Sequence, residues 1–150
     1  MIAVFWNIKG MKSITFLPSS STFDKFLFVG TVLADIQKKL TSERPKLLGS
    51  GLYLHLDNTR PHFADGEIEK LGFRRMPHPP YSPDLAPSDF FLFGYLKNQL
   101  QGVKFGDEKE LFGKVVDVLH SIPQTVLTRV YLDWKWKHRL CIAMDGEYVE

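Results

Sequence analysis

The sequence contains one cysteine, no long hydrophobic run and little net charge. Because Cys141 is alone, an internal disulfide is excluded, and such cysteine usage is typical of a reducing compartment. No segment approaches the roughly 18 apolar residues of a membrane-spanning helix, and the N-terminus lacks the charged and apolar regions of a secretory signal. We therefore expect an intracellular, soluble protein of the cytoplasm or nucleoid, or of the nucleus in a eukaryote.

Several catalytic signatures are also absent from the sequence. It has no serine nucleophile elbow, no glycine-rich phosphate-binding loop and no cysteine spacing of a zinc site. The composition, with 44% hydrophobic and 24% charged residues, excludes a disordered chain. A length of 150 residues predicts one domain. The net charge of +2 permits contact with nucleic acid without requiring it.

The first third of the chain predicts a hairpin followed by a helix. Residues 2–8 are apolar on both alternating faces, residues 7–10 form a turn signal, and residues 13–17 fit the returning strand. Thr22 then predicts the N-cap of a helix that ends before Pro45. The inward face of this helix is predicted from apolar residues at intervals of three and four, namely Phe26, Val29, Leu33, Ile36 and Leu40.

The middle of the chain alternates short elements. We predict a strand over residues 52–56, a helix over 64–71 and a strand over 73–76, before prolines force extended backbone. Ser88 predicts the N-cap of the next helix, which runs to about residue 100. Its inward face is predicted to be Phe93, Leu96 and Leu100.

Two further helices are predicted at the C-terminal end. Asp107 and Glu110 have the spacing of a capping box, for a helix whose inward residues are Leu111, Val115, Val118 and Leu119. Residues 121–124 repeat the start signal, for a last helix over residues 124–143. Strands, then mixed elements, then helices indicate an α/β layer with a helical C-terminal edge.

Two aspartates stand where elements begin or end. Asp57 follows the predicted strand 52–56, and Asp89 falls in the first turn of the helix after the proline loop. A helix N-terminus favours the negative charge of a carboxylate because its backbone N–H groups are unpaired. Two carboxylates at neighbouring element ends can share divalent metal ions, as phosphoryl-transfer chemistry requires.

The two segments that carry these aspartates, residues 57–62 and 77–89, are similar to the second and third catalytic blocks of mariner-like transposases. This insertion-sequence and mariner superfamily has a DDE/DDD catalytic domain. The early pair Phe5-Trp6 resembles the family hairpin, and residues 146–150 resemble the tail of one branch. The resemblance implies an α/β fold with a ribonuclease-H-like mixed sheet flanked by helices and a helical C-terminal region.

The same resemblance implies a function and a site. The family cleaves and joins DNA at transposon ends with Mg²⁺ or Mn²⁺, so DNA is the implied partner. Asp57 and Asp89 match the catalytic, metal-binding carboxylates. The implied supporting residues of the active-site loops are Asn58, Arg60, His62 and His78. Asp84, the neighbouring acid, is left as a turn residue.

The sequence departs from the family pattern at its start. In the family, a first catalytic Asp on a strand and a helix-turn-helix DNA-binding region precede the hairpin, whereas Met1 lies directly before it here. We therefore expect residues 1–150 to be a truncated transposase catalytic (DDE endonuclease) domain without its first strand and without the helix-turn-helix domain. With one of three carboxylates missing, little or no nuclease activity and weak metal binding are expected.

Other functions stay open from the sequence. The chain could be a non-enzymatic remnant that binds DNA, self-associates through an exposed sheet edge or pairs with a full-length transposase. It could also be a His/Asp metal hydrolase that uses His55, Asp57, His62 and His78, although the spacing fits no known signature. A decayed gene without a function is a further alternative.

Basic residues provide candidate DNA contacts. They are Arg74, Arg75, Lys135, Lys137 and Arg139. The last three alternate with Trp134 and Trp136, which could stack on bases. We favour instead an amphipathic helix that buries Trp134 while Lys135 and Lys137 extend into water.

Overall fold

The computed structural model describes residues 1–17, 20, 24–44, 46, 51–56 and 65–149. Contacts divide the chain into two compact units. The first unit is Met1–Phe5 with Lys12–Tyr81, and the second is Trp6–Met11 with Ser82–Glu150. The predictions for Thr22, Pro45, Asp57, Asn58, Arg60 and His62 lie outside the described residues.

The described part of the chain contains four strands and six α-helices. The strands are β1 (Ile2–Asn7), β2 (Gly10–Phe16), β3 (Leu52–His55) and β4 (Phe73–Met76). The helices are α1 (Lys25–Leu27), α2 (Ala34–Glu43), α3 (Asp65–Lys70), α4 (Phe93–Leu100), α5 (Glu108–His120) and α6 (Gln124–Ala143). Two π-helical segments, Phe28–Leu33 and Ser88–Leu92, lead into α2 and α4, and Pro83–Leu85 is a 3₁₀ turn.

Strands β1 and β2 form the predicted hairpin. Its two-residue turn is fixed by Asn7, whose Oδ1 accepts a hydrogen bond from the Lys9 N–H at 2.8 Å. Gly10 follows with φ +127°, a conformation that a side chain would oppose. Strand β2 therefore begins at Gly10, three residues earlier than the sequence pattern predicted.

The helical stretch from α1 to α2 confirms the predicted helix and the burial of Leu33, Ile36 and Leu40, but the prediction that Phe26 faces inward is wrong. Phe26 is 82% exposed, and Phe28 is buried in its place. The cause is the π-helical segment, because its i→i+5 hydrogen bonds add a residue to the turn and bring Phe28, five residues before Leu33, to the inner side. The Asp24 side chain accepts the Leu27 N–H at 2.9 Å, a capping hydrogen bond at the start of α1.

Strands β3 and β4 pair in parallel, with α3 between them in the sequence. This connection is the usual one for parallel strands, and Gly72, at φ +87°, follows the end of the helix. The apolar faces of β3, β4 and α3 pack with those of residues 28–40 in one cluster. Its buried residues are Leu17, Phe28, Val32, Leu33, Ile36, Leu40, Leu54, Leu56, Ile68 and Phe73.

A polar contact joins β2 to α2 at the surface of the first unit. The Ser13 hydroxyl and the Lys39 ammonium both donate to the Asp35 carboxylate. The hydrogen bond from Lys39, followed by the one from Ser13, holds the pKa of Asp35 below its ordinary value of 3.8. This carboxylate is therefore a charged structural contact at neutral pH.

In the second unit, the buried face of the helix after the proline loop is shifted by one residue from the face that the sequence predicted. Leu92 is fully buried and Phe93 is 45% exposed, so the prediction that Phe93 faces the interior is wrong. The π-helical segment Ser88–Leu92 again accounts for the shift. The other buried residues of this unit are Asp84, Leu85, Ala86, Val115, Val118, Leu119, Ile122, Leu127, Val130 and Val149.

Helix α6 has the predicted bounds, and α5 begins directly after the predicted cap. Asp107 caps α5, since its Oδ1 accepts the Glu110 N–H at 2.7 Å. The Glu110 carboxylate reaches back to the Gly106 N–H at 2.7 Å, one residue before the cap. Among the described residues, no helix combines the length and hydrophobicity that crossing a bilayer requires.

Candidate functional site

Asp89 lies in the first turn of the helical segment that begins at Ser88, and it is exposed. Its backbone N–H donates to the Ala86 carbonyl oxygen at 2.9 Å, and the Phe90 N–H donates to the same oxygen at 3.0 Å. These two bonds fix the start of the helix against the preceding loop. Asp89 therefore lies at the N-terminal end of this helical segment, where the helix dipole favours a negative charge.

Ser88 does not cap this helix as predicted. Pro87 occupies the N-cap position with helical φ and ψ and without a side-chain cap, because its ring already holds φ near −57°. The Ser88 hydroxyl oxygen instead accepts a hydrogen bond from the Trp6 indole N–H at 3.1 Å. The Trp6 ring also lies against Phe91, with ring centroids 6.4 Å apart.

Asp84 is not a simple turn residue, which corrects the prediction from the sequence. It is only 7% exposed, and its Oδ2 accepts the backbone N–H of Val149 at 3.0 Å. Its other oxygen, Oδ1, is buried and has no hydrogen-bond partner among the described residues. At the next residue, the Leu85 carbonyl oxygen accepts the indole N–H of Trp134 at 2.9 Å. No local sequence pattern connects the loop with these distant residues, and sequence reasoning missed the contacts.

The basic residues of α6, Lys135, Lys137 and Arg139, include one that contacts the Asp89-bearing helix. Lys137 places its Nζ 5.2 Å from the ring centroid of Phe90. Lys135 lies 5.7 Å from the centroid of Tyr131, and Arg139 is exposed. Trp134 is partly buried, as predicted, and Trp136 is 62% exposed.

The first unit carries the other predicted site residues. Asp57, Asn58, Arg60 and His62 lie outside the described residues, directly after β3 and Leu56. His78 is brought against His55, with His55 Nε2 and His78 Nδ1 3.2 Å apart and the two rings edge to face. Over residues 1–17, 24–44, 51–56 and 65–149, no group of three or more His, Cys, Asp or Glu side chains is placed to hold a metal ion.

The two arginines of β4 differ in their surroundings. Arg75 is mostly buried and forms an ion pair with Asp65 at 3.2 Å. Arg74 is exposed next to Tyr53, its register partner on β3. Both arginines line an open cleft of about 840 Å³. Arg74 is therefore the more accessible candidate for a phosphate contact.

Comparison with known proteins places these features in context. No family model matches the chain. The chain is 32% identical over 157 residues to the human histone-lysine N-methyltransferase SETMAR and 28% identical over 162 residues to the Mariner Mos1 transposase of Drosophila mauritiana. Each alignment covers the whole chain, but only 22% and 45% of the relative, so the chain spans less than half the length of these curated relatives.

Solved structures share the fold. The Mos1 transposase catalytic domain with raltegravir and Mg matches 99% of this chain with a TM-score of 0.89 and 24% identity, over 76% of that domain. The Mos1 mariner paired-end complex with Mn gives the same TM-score over 44% of its chain. The similarity confirms the predicted α/β, ribonuclease-H-like fold class.

Proposed function

Because the chain is related to the catalytic domain of mariner transposases, we propose that it binds DNA and that Asp57 and Asp89 hold divalent metal ions. The observation that carries this proposal is the position of Asp89. It stands exposed in a helix first turn, directly after the proline loop that resembles the third catalytic block. Residues 1–150 would then correspond to part of a DDE catalytic domain.

The chemistry of the carboxylates fits Mg²⁺ or Mn²⁺. Both metals prefer oxygen ligands, and Asp89 offers its carboxylate at the surface. Asp84, the nearest competitor in sequence, is buried and already accepts the Val149 N–H. When bound, such metal ions would activate an attacking oxygen and stabilise a leaving one. Asn58, Arg60, His62 and His78 would support the surrounding loops.

Cationic side chains supply the proposed DNA contacts. Lys137 beside Phe90, and Lys135 and Arg139 on the same helix, would neutralise phosphates near the Asp89-bearing helix. Arg74 would do the same in the first unit, whereas Arg75 is engaged by Asp65. We expect binding to weaken steeply between about 50 and 200 mM salt, as phosphate contacts require. Affinity that does not change with salt would contradict this part of the proposal.

As the 150-residue polypeptide, the protein should show little or no nuclease activity. Two carboxylates attract one cation but hold a second one poorly, and the two-metal chemistry needs both. The test is a DNA cleavage assay in Mg²⁺ and in Mn²⁺ with wild type, Asp57→Asn and Asp89→Asn. If the wild type cleaves DNA and each substitution abolishes that cleavage, two carboxylates suffice for activity. This result would contradict the expected lack of nuclease activity.

A second, non-enzymatic function is favoured by the strand pairing. In the described part of the chain, the strands form two separate two-stranded sheets, so each strand is paired on one side. An open strand edge can pair with another chain. We therefore propose association with a second copy or with an intact transposase as the alternative function. Sedimentation at increasing concentration, and a pull-down with intact transposase, should detect it. A monomer that captures no transposase would exclude this alternative.

A further inference from the structure

The loop before Asp89 is held by the C-terminal part of the second unit through two hydrogen bonds. One joins the Asp84 carboxylate to the Val149 N–H, and the other joins the Trp134 indole to the Leu85 carbonyl. The partners are 65 and 49 residues apart in sequence. We call these two contacts the loop clamp.

The clamped residues are the ones from which the Asp89 turn begins. Leu85 and Ala86 are almost fully buried, and Ala86 supplies the carbonyl oxygen that accepts the Asp89 and Phe90 N–H groups. Ala86 directly follows Leu85, and its carbonyl oxygen anchors the first turn. A shift of Leu85 would therefore move the Ala86 carbonyl and with it the Asp89 and Phe90 backbone. The loop itself contains only one 3₁₀ turn, whose hydrogen bonds at 3.1 and 3.2 Å are local.

Asp84 has a feature that a purely structural acid rarely has. Within the part of the chain that the structure describes, its buried Oδ1 has no partner, although buried polar atoms are normally hydrogen-bonded and an unpaired one is costly. An apolar residue would fill the same space without that cost. The contact with Val149 therefore needs a reason beyond packing, and the position of Asp89 supplies one.

We propose that Asp84 and Trp134 are positioning residues that hold the Asp89 carboxylate in place through the loop clamp. The inference rests on the proposed role of Asp89 as a metal ligand, which it deepens. In this proposal, neither residue is assigned a contact with the metal or the DNA. Asp84 acts from the loop side, and Trp134 acts from α6, so each contact can be removed alone.

The test is amide hydrogen exchange on the 150-residue chain, read at Asp89 and Phe90 and compared with amides in the middle of α5. Asp84→Ala removes the acceptor, Asp84→Asn keeps an oxygen acceptor, and Trp134→Phe removes the N–H donor while keeping an aromatic ring. The matched controls are Asp133→Ala and Trp136→Phe, which make the same changes at exposed positions of α6.

We expect exchange at Asp89 and Phe90 to become at least about tenfold faster in Asp84→Ala and Trp134→Phe, with α5 unchanged. Asp84→Asn should restore slow exchange, and both controls should match wild type. Equal acceleration at Asp89 and in α5 would show general destabilisation only, and acceleration no greater than in the controls would overturn the clamp.

A second readout separates this inference from the proposed function. The Asp89 amide resonance is followed by NMR during a Mg²⁺ titration of wild type and of Trp134→Phe. If the wild-type resonance does not respond to Mg²⁺, the proposed metal site at Asp89 is refuted. The exchange experiment still tests whether the loop clamp holds the Asp89 turn. If wild type responds, we expect an increase of several-fold in the Mg²⁺ dissociation constant for Trp134→Phe, and an unchanged constant would contradict the positioning role.

Discussion

Trp6 in the hairpin donates its indole N–H to the hydroxyl oxygen of Ser88 at 3.1 Å, across 82 residues of sequence. Ser88 directly precedes Asp89, so this bond ties the strand β1 to the turn that presents the proposed metal ligand. The hairpin therefore has a role beyond its own two strands. The same tryptophan packs on Phe91, which lies on the other side of Asp89 in sequence.

Replacing Trp6 by Phe should lower the free energy of unfolding by about 1 kcal/mol, because it removes one partly buried hydrogen bond and keeps an aromatic ring near Phe91. Urea denaturation followed by circular dichroism measures the change. Trp136→Phe is the control, since Trp136 is largely exposed and should lose almost nothing. Equal losses in the two variants would show that the bond to Ser88 contributes nothing.

Leu92 and Phe93 should respond oppositely to truncation. Leu92→Ala opens a cavity in a fully buried site and should cost about 2–5 kcal/mol. Phe93→Ala removes a larger but half-exposed side chain and should cost much less. Thermal or chemical denaturation of both variants gives the comparison. A greater loss in Phe93→Ala would restore the inward face that periodicity predicted.

Gly51 should not tolerate a side chain. Its φ is +80°, and a Cβ there would stand 2.9 Å from Nε of Arg74. Gly51→Ala should therefore destabilise the protein by about 1 kcal/mol or more. Gly94→Ala is the matched control, because Gly94 is helical with open space at its Cβ position and should gain stability instead. A loss of stability in both variants, or in neither, would contradict the conclusion that Gly51 is required by its backbone conformation and its contact with Arg74.

Asp35 should make stability depend on acid pH. Its pKa is lowered by Lys39 and Ser13, so the contribution of the charged form is fully present above the ordinary value of 3.8 and is lost as the pH falls through the lowered value. Asp35→Asn should thus be less stable than wild type at about pH 7, and the difference should shrink below about pH 4. Urea midpoints measured across this range test it.

The control for this prediction is Glu43→Gln. Glu43 forms an exposed ion pair with Lys12 at 3.4 Å, and such surface pairs contribute about 0–1 kcal/mol. Its substitution should change stability little at neutral pH. The stability difference between wild type and Asp35→Asn could instead stay constant from neutral to acid pH. That result would refute the role of the charged carboxylate.

The sequence predicted best where hydrophobic periodicity and capping residues agree. Helix α6 and strand β4 have the predicted bounds, and the cap at Asp107 is present, because each depends on neighbouring residues. The inward positions failed at Phe26 and Phe93 for one reason. Both precede or follow a π-helical turn, which the apolar spacing of an α-helix does not anticipate.

The candidate site was predictable only in part. The exposed position of Asp89 in a first turn follows from the proline loop and the apolar helix after it. The contacts of Asp84 and Ser88 did not follow, since their partners Val149 and Trp6 are brought close only by tertiary packing. Long-range side-chain-to-backbone bonds of this kind leave no local pattern in the sequence.

The central claim, that Asp57 and Asp89 hold the same divalent metal, can be tested by metal-directed cleavage. Fe²⁺ replaces Mg²⁺ in oxygen-ligand sites and, with ascorbate and peroxide, cuts the backbone next to its ligands. We predict cuts near residues 57 and 89 that excess Mg²⁺ suppresses and that either Asp57→Asn or Asp89→Asn removes at both places. Cuts near His55 and His78 alone, or cuts that survive both substitutions, would contradict the proposed site.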